Sequence, residues 1–378
     1  MRTVDAAGLP IGDEHPPRIM GVLNVSKESP YDPSVFDEPA AAAAYVDDEL
    51  IGEGADIVDV GLESANKRFD VLSAEEELDR LETAVETLES TSGDAVWSIE
   101  TRYHEVADAA LDAGFDMVND ICGFADPEMP RICAEYDAAV SKMASPPDLE
   151  RPGAIEDVDD IYAALERNGF TDKTILDPAF GGWSEAKTTD DDRETFDRLR
   201  EFRGYGRPLL VSINRKNFLK EIAGRDTEEA LSVSLAATSM AVERGAHVVR
   251  THDVAETRDA ALVGHEFTRS RSRDRELGVE ELDVTTDREF ARHLHRIQPE
   301  TGGDPATVRH TVEFHLPDDA LERLARTARS EGLGVYPGKR LLLVGTSDEF
   351  RTLKKSIGPE RNSIFQALQS VCDDFGGV

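Results

Sequence analysis

Ile19-Met-Gly-Val-Leu-Asn24 is a short apolar run that ends directly in a polar residue. The same arrangement recurs in six further segments, at residues 56–61, 96–100, 116–120, 174–177, 209–216 and 247–252. Strands of a (β/α)₈ barrel carry apolar side chains up to their carboxyl ends, where the following loops gather polar groups into one site. The pattern therefore predicts barrel strands, and it makes the polar residue at each strand end a candidate for a functional site.

Segments with helical periodicity lie between these strands, at residues 40–53, 73–89, 103–113, 155–168, 190–202, 227–244 and 254–266. Ser73 followed by Glu76 predicts a capping box at the start of the second helix. A weaker apolar run at residues 138–141 brings the number of strands to eight. Strands that alternate with such helices predict a parallel sheet, and eight units predict its closure. The expected fold class is α/β, with a (β/α)₈ TIM barrel over residues 1–268.

The chain has 378 residues, more than the roughly 250 that one barrel needs, so we expect a second domain. Residues 268–275 are polar and lack a hydrophobic period, which predicts a solvated linker over residues 269–283. A phosphate site formed by the arginines of this stretch is the alternative. Helices near 288–297, at 317–329 and from Ser347 and Ser363, with strands at 308–316 and 340–345, predict a small α+β domain over residues 284–378.

The formal net charge of −35 comes from 77 acidic and 42 basic residues, and only ten of the basic residues are lysine. Repulsion on this scale destabilises a compact fold unless salt screens it. The composition therefore predicts the surface of a halophilic protein, with an acidic mesophilic enzyme as the alternative. Nucleic acid is an unfavourable partner for so negative a surface.

Cys122, Cys133 and Cys372 show no spacing typical of metal ligands, and their odd number favours reduced thiols in a cytoplasmic protein. No run of about 18 apolar residues occurs, and the first residues lack the apolar region of a signal peptide. We therefore expect a soluble protein that does not interact with membranes.

The polar residues at the predicted strand ends are of two chemical kinds. Carboxylates and carboxamides suit hydrogen bonding to an amidine-like heterocycle, whereas lysine, arginine and histidine suit a phosphate or pyrophosphate. The candidates are Asn24, Glu100, Asn119, Asp120, Asp177, Lys216, Arg250 and His252. Each has a plainer interpretation, such as a turn cap for Asp177 before Pro178, but their joint placement at successive strand ends favours one site. No sequence motif supports acyl transfer or zinc proteolysis.

Six motifs follow one another in order within the barrel region, at residues 19–26, 56–64, 118–123, 175–178, 215–218 and 249–253. Together, over residues 18–268, they resemble those of the dihydropteroate synthase family. The resemblance implies a transferase of folate biosynthesis that joins 6-hydroxymethyl-7,8-dihydropterin pyrophosphate to p-aminobenzoate or a related aryl amine and releases pyrophosphate. Its expected partners are these small molecules and a second copy of the chain in a homodimer.

The resemblance also assigns roles to the candidate residues. Lys216, Asp177 and Glu100 would be catalytic and, with Asn119, would bind the pterin. Arg250 and His252 would bind the pyrophosphate, and Asn24 would coordinate Mg²⁺. No covalent nucleophile is required, because the metal neutralises the charge that develops on the leaving pyrophosphate.

The chain departs from the family's motifs at several loops. Glu100 replaces an aspartate, Ser141-Lys-Met143 replaces Met-His-Met, and Asn217 replaces a serine. Segments 27–32, 64–67 and 181–184, the last with Trp183 as a possible stacking residue, also differ. The part of the site that would bind the pterin is thus expected to be intact, and the part that would bind the acceptor amine is expected to be altered. Two alternatives stay open, a pterin-dependent methyltransferase on the same barrel and a catalytically weak pterin-binding paralogue.

Overall fold

The computed structural model describes residues 1–25, 34–63, 71–181, 186–271, 273–274, 279–298, 308–314, 316–338, 340–358 and 363–374. It forms two compact units, Met1–Ser272 and Arg273–Val378. Among the described helices, none has both the length and the apolar character needed to cross a membrane. The first unit opens with an antiparallel hairpin of β1 (Val4–Ala6) and β2 (Leu9–Ile11).

Eight parallel strands follow in the first unit and form a single sheet. They are β3 (Arg18–Asn24), β4 (Ile57–Gly61), β5 (Val96–Thr101), β6 (Met117–Asp120), β7 (Ala139–Met143), β8 (Thr174–Asp177), β9 (Leu210–Val211) and β10 (Val248–Thr251). The strand order is β8-β7-β6-β5-β4-β3-β10-β9, and a parallel bridge between Leu176 and Leu209 joins its two edges. This confirms the α/β class and the eight-stranded barrel predicted from the sequence.

Nine α-helices accompany the barrel strands in the described residues. They are α1 (Pro39–Tyr45), α2 (Ala74–Ser90), α3 (His104–Asp112), α4 (Met129–Glu135), α5 (Val158–Glu166), α6 (Thr189–Asp197), α7 (Asn217–Ala223), α8 (Leu231–Glu243) and α9 (Val254–Glu266). The capping box of Ser73 and Glu76 is confirmed. Helices α4 and α7 were not predicted, because seven residues are too few to show a helical period. Helix α1 is as short, but the π-helical segment Val46–Ile51 continues it and lengthens the pattern.

The barrel is closed at its amino end by an apolar layer. Residues at the starts of the strands, such as Met20, Ile57 and Val248, form one buried cluster with Val4 and Ile11 of the hairpin. Three-residue strands carry too little pattern to be recognised, so the sequence did not predict this hairpin. Since the amino end is packed, polar groups gather at the carboxyl ends of the strands.

A buried ion cluster lies beside this layer, centred on Asp13. Its carboxylate accepts hydrogen bonds from both Arg203 Nη atoms, at 3.1 and 3.0 Å, and lies 2.9 Å from His247 Nε2. Arg271 Nη2 is 3.3 Å from the same carboxylate, and its side chain is only 8% exposed. The prediction of a solvated linker is therefore wrong at Arg271, because its guanidinium pairs with a buried carboxylate.

The second unit has its own hydrophobic core, around Phe314, Leu324, Leu343 and Phe350. Its strands are β11 (Arg273–Asp274), β12 (Val279–Glu280), β13 (Arg309–Phe314), β14 (Gly334–Pro337) and β15 (Leu341–Thr346). The last three form an antiparallel sheet in the order β13-β15-β14. Four helices accompany them in the described residues: α10 (Asp287–Ile297), α11 (Asp318–Ser330), α12 (Ser347–Ile357) and α13 (Ser363–Asp374). This is the α+β layer that the sequence predicts, with β14 as an unpredicted addition.

Candidate functional site

All the predicted site residues lie at or just beyond the carboxyl ends of barrel strands, and the strand register brings several of them together. Glu100 on β5 pairs with Asn119 on β6 and with Gly61 on β4, and Gly61 in turn pairs with Asn24 on β3. A Cβ atom on Gly61 would lie 3.0 Å from Asn24 Oδ1 and 3.8 Å from Glu100 Oε1. Glycine at this position therefore leaves room for the two oxygen atoms to converge.

Arg250 joins two carboxylates at the centre of this rim. Its Nε atom donates to Asp59 Oδ2 at 2.7 Å, and its Nη2 atom donates to Glu100 Oε2 at 2.5 Å. Asp59 Oδ2 also accepts from Asn119 Nδ2 at 3.0 Å, and its Oδ1 accepts from Ser98 Oγ at 2.7 Å. A continuous hydrogen-bonded network thus links strands β4, β5, β6 and β10 inside the barrel.

Asp59 is a site residue that the sequence analysis missed. It lies in the middle of β4, is fully buried, and organises three other polar side chains. The signal was present in the motif at residues 56–61, because a charged residue inside an otherwise apolar barrel strand is rarely buried without a partner. Asp59 was missed because the candidates were taken from the strand ends, and Asp59 lies inside its strand.

Burial and mutual attraction set the charges of this network. Burial raises the pKa of Glu100 above its usual value, although the positive charge of Arg250 opposes the shift. Burial alone would lower the pKa of Arg250, but the carboxylates of Glu100 and Asp59 outweigh burial and raise it. Arg250 is therefore held as a permanent cation inside the barrel.

A second group of site residues surrounds the end of β8. Asp177 is buried, its Oδ1 accepts the backbone N–H of Ala179 at 2.8 Å, and burial raises its pKa to about 6. Lys216 lies against Gly181, where a Cβ atom would approach Lys216 Nζ to 3.0 Å. Burial, with the nearby charge of Arg250, lowers the pKa of Lys216. The Asp177 carboxylate and the Lys216 amine thus lie near each other in a largely buried part of the site.

Lys216 owes its position to the residue before it. Arg215 has a φ of +52°, a left-handed conformation that costs about 1 kcal/mol for a residue with a Cβ atom. The Arg215 guanidinium makes two hydrogen bonds of 2.8 Å to Asp253, and the Arg215 N–H donates to Ser234 Oγ at 2.8 Å. Arg215 therefore anchors the loop that carries Lys216.

The comparisons with known proteins agree with this geometry. The model of the family described as pterin binding enzyme matches residues 20–252. The chain belongs to the pterin-binding enzyme family. A probable bifunctional folylpolyglutamate synthase/dihydropteroate synthase of Halobacterium salinarum is 36% identical over 264 residues, which are 67% of this chain. This chain covers only 31% of that longer protein.

Two shorter members of the pterin-binding family are matched over most of their length. The dihydropteroate synthase of Bacillus subtilis is 30% identical over 242 residues, 62% of this chain and 83% of that protein. The structure of dihydropteroate synthase from Xanthomonas albilineans in complex with 7,8-dihydropteroate has 30% identity and a TM-score of 0.55. The match covers 70% of this chain and 97% of the Xanthomonas albilineans chain. The resemblance predicted from the motifs is thereby confirmed for the barrel.

Asn24 fits the Mg²⁺ role that the resemblance implies. Its Nδ2 atom donates to Ser34 Oγ at 2.9 Å, which turns its Oδ1 atom toward Gly61 and Glu100. Mg²⁺ prefers oxygen ligands and commonly keeps several waters, binding one or two protein groups together with substrate phosphates. An amide oxygen beside a carboxylate, at the carboxyl ends of the barrel strands, suits this mode of binding.

The structure also describes the surroundings of two further candidates, Asp120 and His252. Asp120 accepts the backbone N–H groups of Cys122 and Phe124, at 2.9 and 2.6 Å, and so holds the turn after β6. Burial, together with the charge of Arg250, lowers the pKa of His252 to about 3. His252 is therefore a neutral hydrogen-bonding group near pH 7.

Trp183 and the altered segments 27–32, 64–67 and 182–184 lie outside the described residues.

Proposed function

We propose that this protein condenses 6-hydroxymethyl-7,8-dihydropterin pyrophosphate with p-aminobenzoate or a related aryl amine, as a dihydropteroate synthase does. The observation that carries the proposal is the convergence of buried carboxylates, a carboxamide and two cations at one barrel rim. The amine nitrogen forms a bond to the methylene carbon of the pterin, the carbon–oxygen bond to pyrophosphate breaks, and the amine loses one proton. The complex of a relative with 7,8-dihydropteroate supports this assignment.

In this proposal the pterin lies against Asp177, Asn119, Lys216 and Glu100. The ionised Asp177 carboxylate accepts hydrogen bonds from the amidine-like edge of the heterocycle, and the Asn119 carboxamide supplies a further polar contact. Lys216, beside Asp177, donates to a ring oxygen or nitrogen. Glu100 places negative charge near the methylene carbon, where positive charge develops as pyrophosphate leaves.

The pyrophosphate is proposed to lie near Arg250, His252 and Asn24. The contacts of Arg250 to Asp59 and Glu100 use two of its five N–H donors, so it can bind a phosphate without leaving the network. Neutral His252 would donate one hydrogen bond. Mg²⁺ held by Asn24 would neutralise charge on the leaving group when it is bound.

A direct test is the release of pyrophosphate from the pterin substrate with p-aminobenzoate and Mg²⁺. The transferase requires both the amine and the pyrophosphate ester. Calorimetry separates it from the alternatives, because a methyltransferase would bind a methylated pterin without preferring the pyrophosphate, and a weak paralogue would bind pterin without turnover. Binding of free pterin and its pyrophosphate with equal affinity would contradict the proposal.

We further propose that the chain forms a homodimer through helices α7 and α8. A cavity of about 390 Å³ on this surface is lined by Phe196, Phe218, Ile222 and Met240, among other residues. Ile222 is 63% exposed and Met240 is 46% exposed, and apolar patches of this kind mark protein interfaces. Light scattering on Ile222→Asp, with Ile297→Asp in the second unit as an exposed control, tests the proposal. Only the first change should give monomers.

The cellular setting is also a proposal. All three cysteines are buried and none is in a disulfide bond, which supports a reducing compartment such as the cytoplasm. The net charge of −35 and the haloarchaeal relative support a protein adapted to high salt.

For the domains, we propose that residues 1–272 contain the complete catalytic rim and that the second unit has a separate role.

A further inference from the structure

Lys187 is a buried lysine near the end of β8 that was not among the residues predicted from the sequence. Its side chain is 1% exposed, and its Nζ atom lies 3.5 Å from Oδ1 of Asp192 on α6, a side chain that is 4% exposed. The same Nζ atom donates a hydrogen bond to the backbone carbonyl of Ala179 at 2.5 Å. Because a buried ammonium group is costly without such contacts, they define where it lies. Lys187 thus joins helix α6 to the turn after β8.

Asp192 holds the same turn at a second point. Its Oδ1 atom accepts the backbone N–H of Gly181 at 3.2 Å. The ion pair therefore contacts the backbone on both sides of Phe180. Phe180 is itself buried, and its ring packs against those of Phe196 on α6 and Phe218 on α7, with centroids 6.2 and 6.0 Å away. The turn is thus fixed by polar contacts on either side of an apolar one.

The backbone of this turn is strained. Ala179 has a φ of +62°, in the left-handed region that is unfavourable for a residue with a Cβ atom. Such a conformation persists only where the surrounding structure enforces it. The hydrogen bond from Lys187 to the Ala179 carbonyl is one of these restraints. We therefore expect the turn to relax when Lys187 is removed.

The same two backbone residues also contact the side chains assigned to the pterin. The Ala179 N–H donates to Asp177 Oδ1 at 2.8 Å. Gly181 lies against Lys216, where a Cβ atom would approach Nζ to 3.0 Å. A shift of the backbone at residues 179 and 181 would therefore move both side chains. The buried ion pair thus acts on the site through one short turn.

The charge of Lys187 acts on Asp177 as well. Burial raises the pKa of Asp177 to about 6, and the positive charges of Lys216, Arg250 and Lys187 oppose the rise. Burial lowers the pKa of Lys187, and the carboxylate of Asp192 opposes that shift. The ion pair therefore helps to keep Asp177 ionised near neutral pH.

We propose that Lys187 is a positioning residue for the pterin, acting with Asp192 through the turn at residues 179–181 on Asp177 and Lys216. The inference rests on the proposed function, which assigns these last two side chains to the pterin. Its test uses the Kd for 6-hydroxymethyl-7,8-dihydropterin, the pterin without its pyrophosphate, and does not use turnover. A wild type that binds this pterin but releases no pyrophosphate would overturn the proposed function and leave the test intact. A wild type that does not bind it would overturn both.

The test compares Lys187→Met, Asp192→Asn and the double variant with the wild type by calorimetry between pH 5 and 8. We expect Lys187→Met to raise the Kd at pH 7 about tenfold and to raise the pH at which binding weakens, because Asp177 loses a nearby positive charge. Asp192→Asn keeps an oxygen for the Gly181 N–H but removes the ion pair, so it should raise the Kd about threefold. The double variant should bind no more weakly than Lys187→Met, because residues that act as one unit are not additive.

Ala179→Gly tests whether the effect passes through the turn. Glycine adopts a φ near +62° without strain, so the turn then needs less restraint. Added to Lys187→Met, this change should restore part of the lost affinity for the pterin. Failure to restore any affinity would overturn the route through the turn.

Arg203, in a buried ion pair at the opposite end of the barrel, provides the matched control. Arg203→Met breaks the pair with Asp13, so it should lower Tm but leave the Kd for the pterin and its pH dependence unchanged. If Lys187→Met fails to fold, Asp192→Asn decides. An unchanged Kd in the variants that fold, or an equal rise in Arg203→Met, would overturn the proposal.

Discussion

Asp177 shows a conflict between stability and ligand binding at a single residue. Burial raises its pKa to about 6, so folding favours the protonated form, whereas a pterin would be held by the carboxylate. In the folded protein the group is ionised above pH 6 and protonated below it. Its contribution to stability therefore falls as pH rises from about 4 to 6, because the unfolded chain ionises more readily.

We expect the affinity for pterin to fall about tenfold per pH unit below pH 6, because the ionised Asp177 is the form that binds. Calorimetric titration of pterin between pH 5 and 8 measures this. Asp177→Asn should abolish the pH dependence together with most of the affinity, and it should stabilise the fold at pH 7 by about 2 kcal/mol. An unaltered pH profile in the variant would contradict the assignment.

Arg250 is expected to serve structure and binding at once. Arg250→Ala leaves the carboxylates of Asp59 and Glu100 buried without their cation, which should cost about 3 kcal/mol of unfolding free energy. Urea denaturation at pH 7 measures the loss. Since burial raises the pKa of Glu100 and Arg250 no longer opposes the shift, Glu100 takes up a proton more readily in the variant. The loss should therefore shrink at pH 5, and an equal loss at both pH values would argue against the ion pairs.

The residues of the rim differ in how readily the sequence reveals them. Asn24, Asp177 and Lys216 could be predicted because each directly follows an apolar strand. Asp59 is harder to recognise, because it lies inside its strand and its importance comes from a partner far along the chain, at residue 250. The anchoring role of Arg215 could not be predicted, since its backbone conformation and its pairing with Asp253 do not show in a linear motif.

At the level of elements, the β9–α7 connection combines the shortest barrel strand with a strained turn. β9 has two residues, and Lys216 directly precedes α7 as its N-cap. The hydrogen bonds of Arg215 to Asp253 replace the strand pairing that a longer β9 would provide. The repeated apolar runs that end in a polar residue predicted the barrel strands well, and helical periodicity predicted α9. The short elements α4, α7, β14 and the hairpin were missed because they carry neither pattern.

Lys216 and Arg215 are expected to respond differently to alanine. Lys216→Ala should reduce kcat/KM at least a hundredfold and leave Tm nearly unchanged, because burial already disfavours its charge. Arg215→Ala should lower both activity and Tm, because it removes the anchor of the loop. Steady-state kinetics and thermal melts on both variants test this, and equal Tm values for the two would contradict the anchoring role.

At the scale of the whole molecule, the negative charge is distributed unevenly between the two units. Residues 1–272 contain 58 acidic and 27 basic residues, whereas residues 273–378 contain 19 and 15. The barrel unit therefore has a net charge of −31 and the second unit −4. Repulsion within the barrel should make its stability depend strongly on screening.

We expect the Tm of the barrel to rise between 0.1 and 2 M KCl, where the Debye length falls from about 10 Å to below 3 Å. Calorimetry should resolve the two units if they unfold independently, with the larger salt shift in the barrel transition. Equal shifts for both units, or no shift, would argue against charge repulsion as the cause.

The division into units makes a prediction about where the chain can be shortened. A chain of residues 1–272 keeps the whole rim and retains Arg271 beside Asp13, whereas a chain of residues 1–268 loses that buried cation. We expect both to bind pterin in molar KCl, with the shorter one less stable because its Asp13 loses the buried Arg271 cation and keeps Arg203 and His247. Thermal melts compare the two lengths, with Arg271→Ala in residues 1–272 as the control that should match the shorter chain. A folded chain of residues 1–272 that fails to bind pterin would mean that the second unit completes the site.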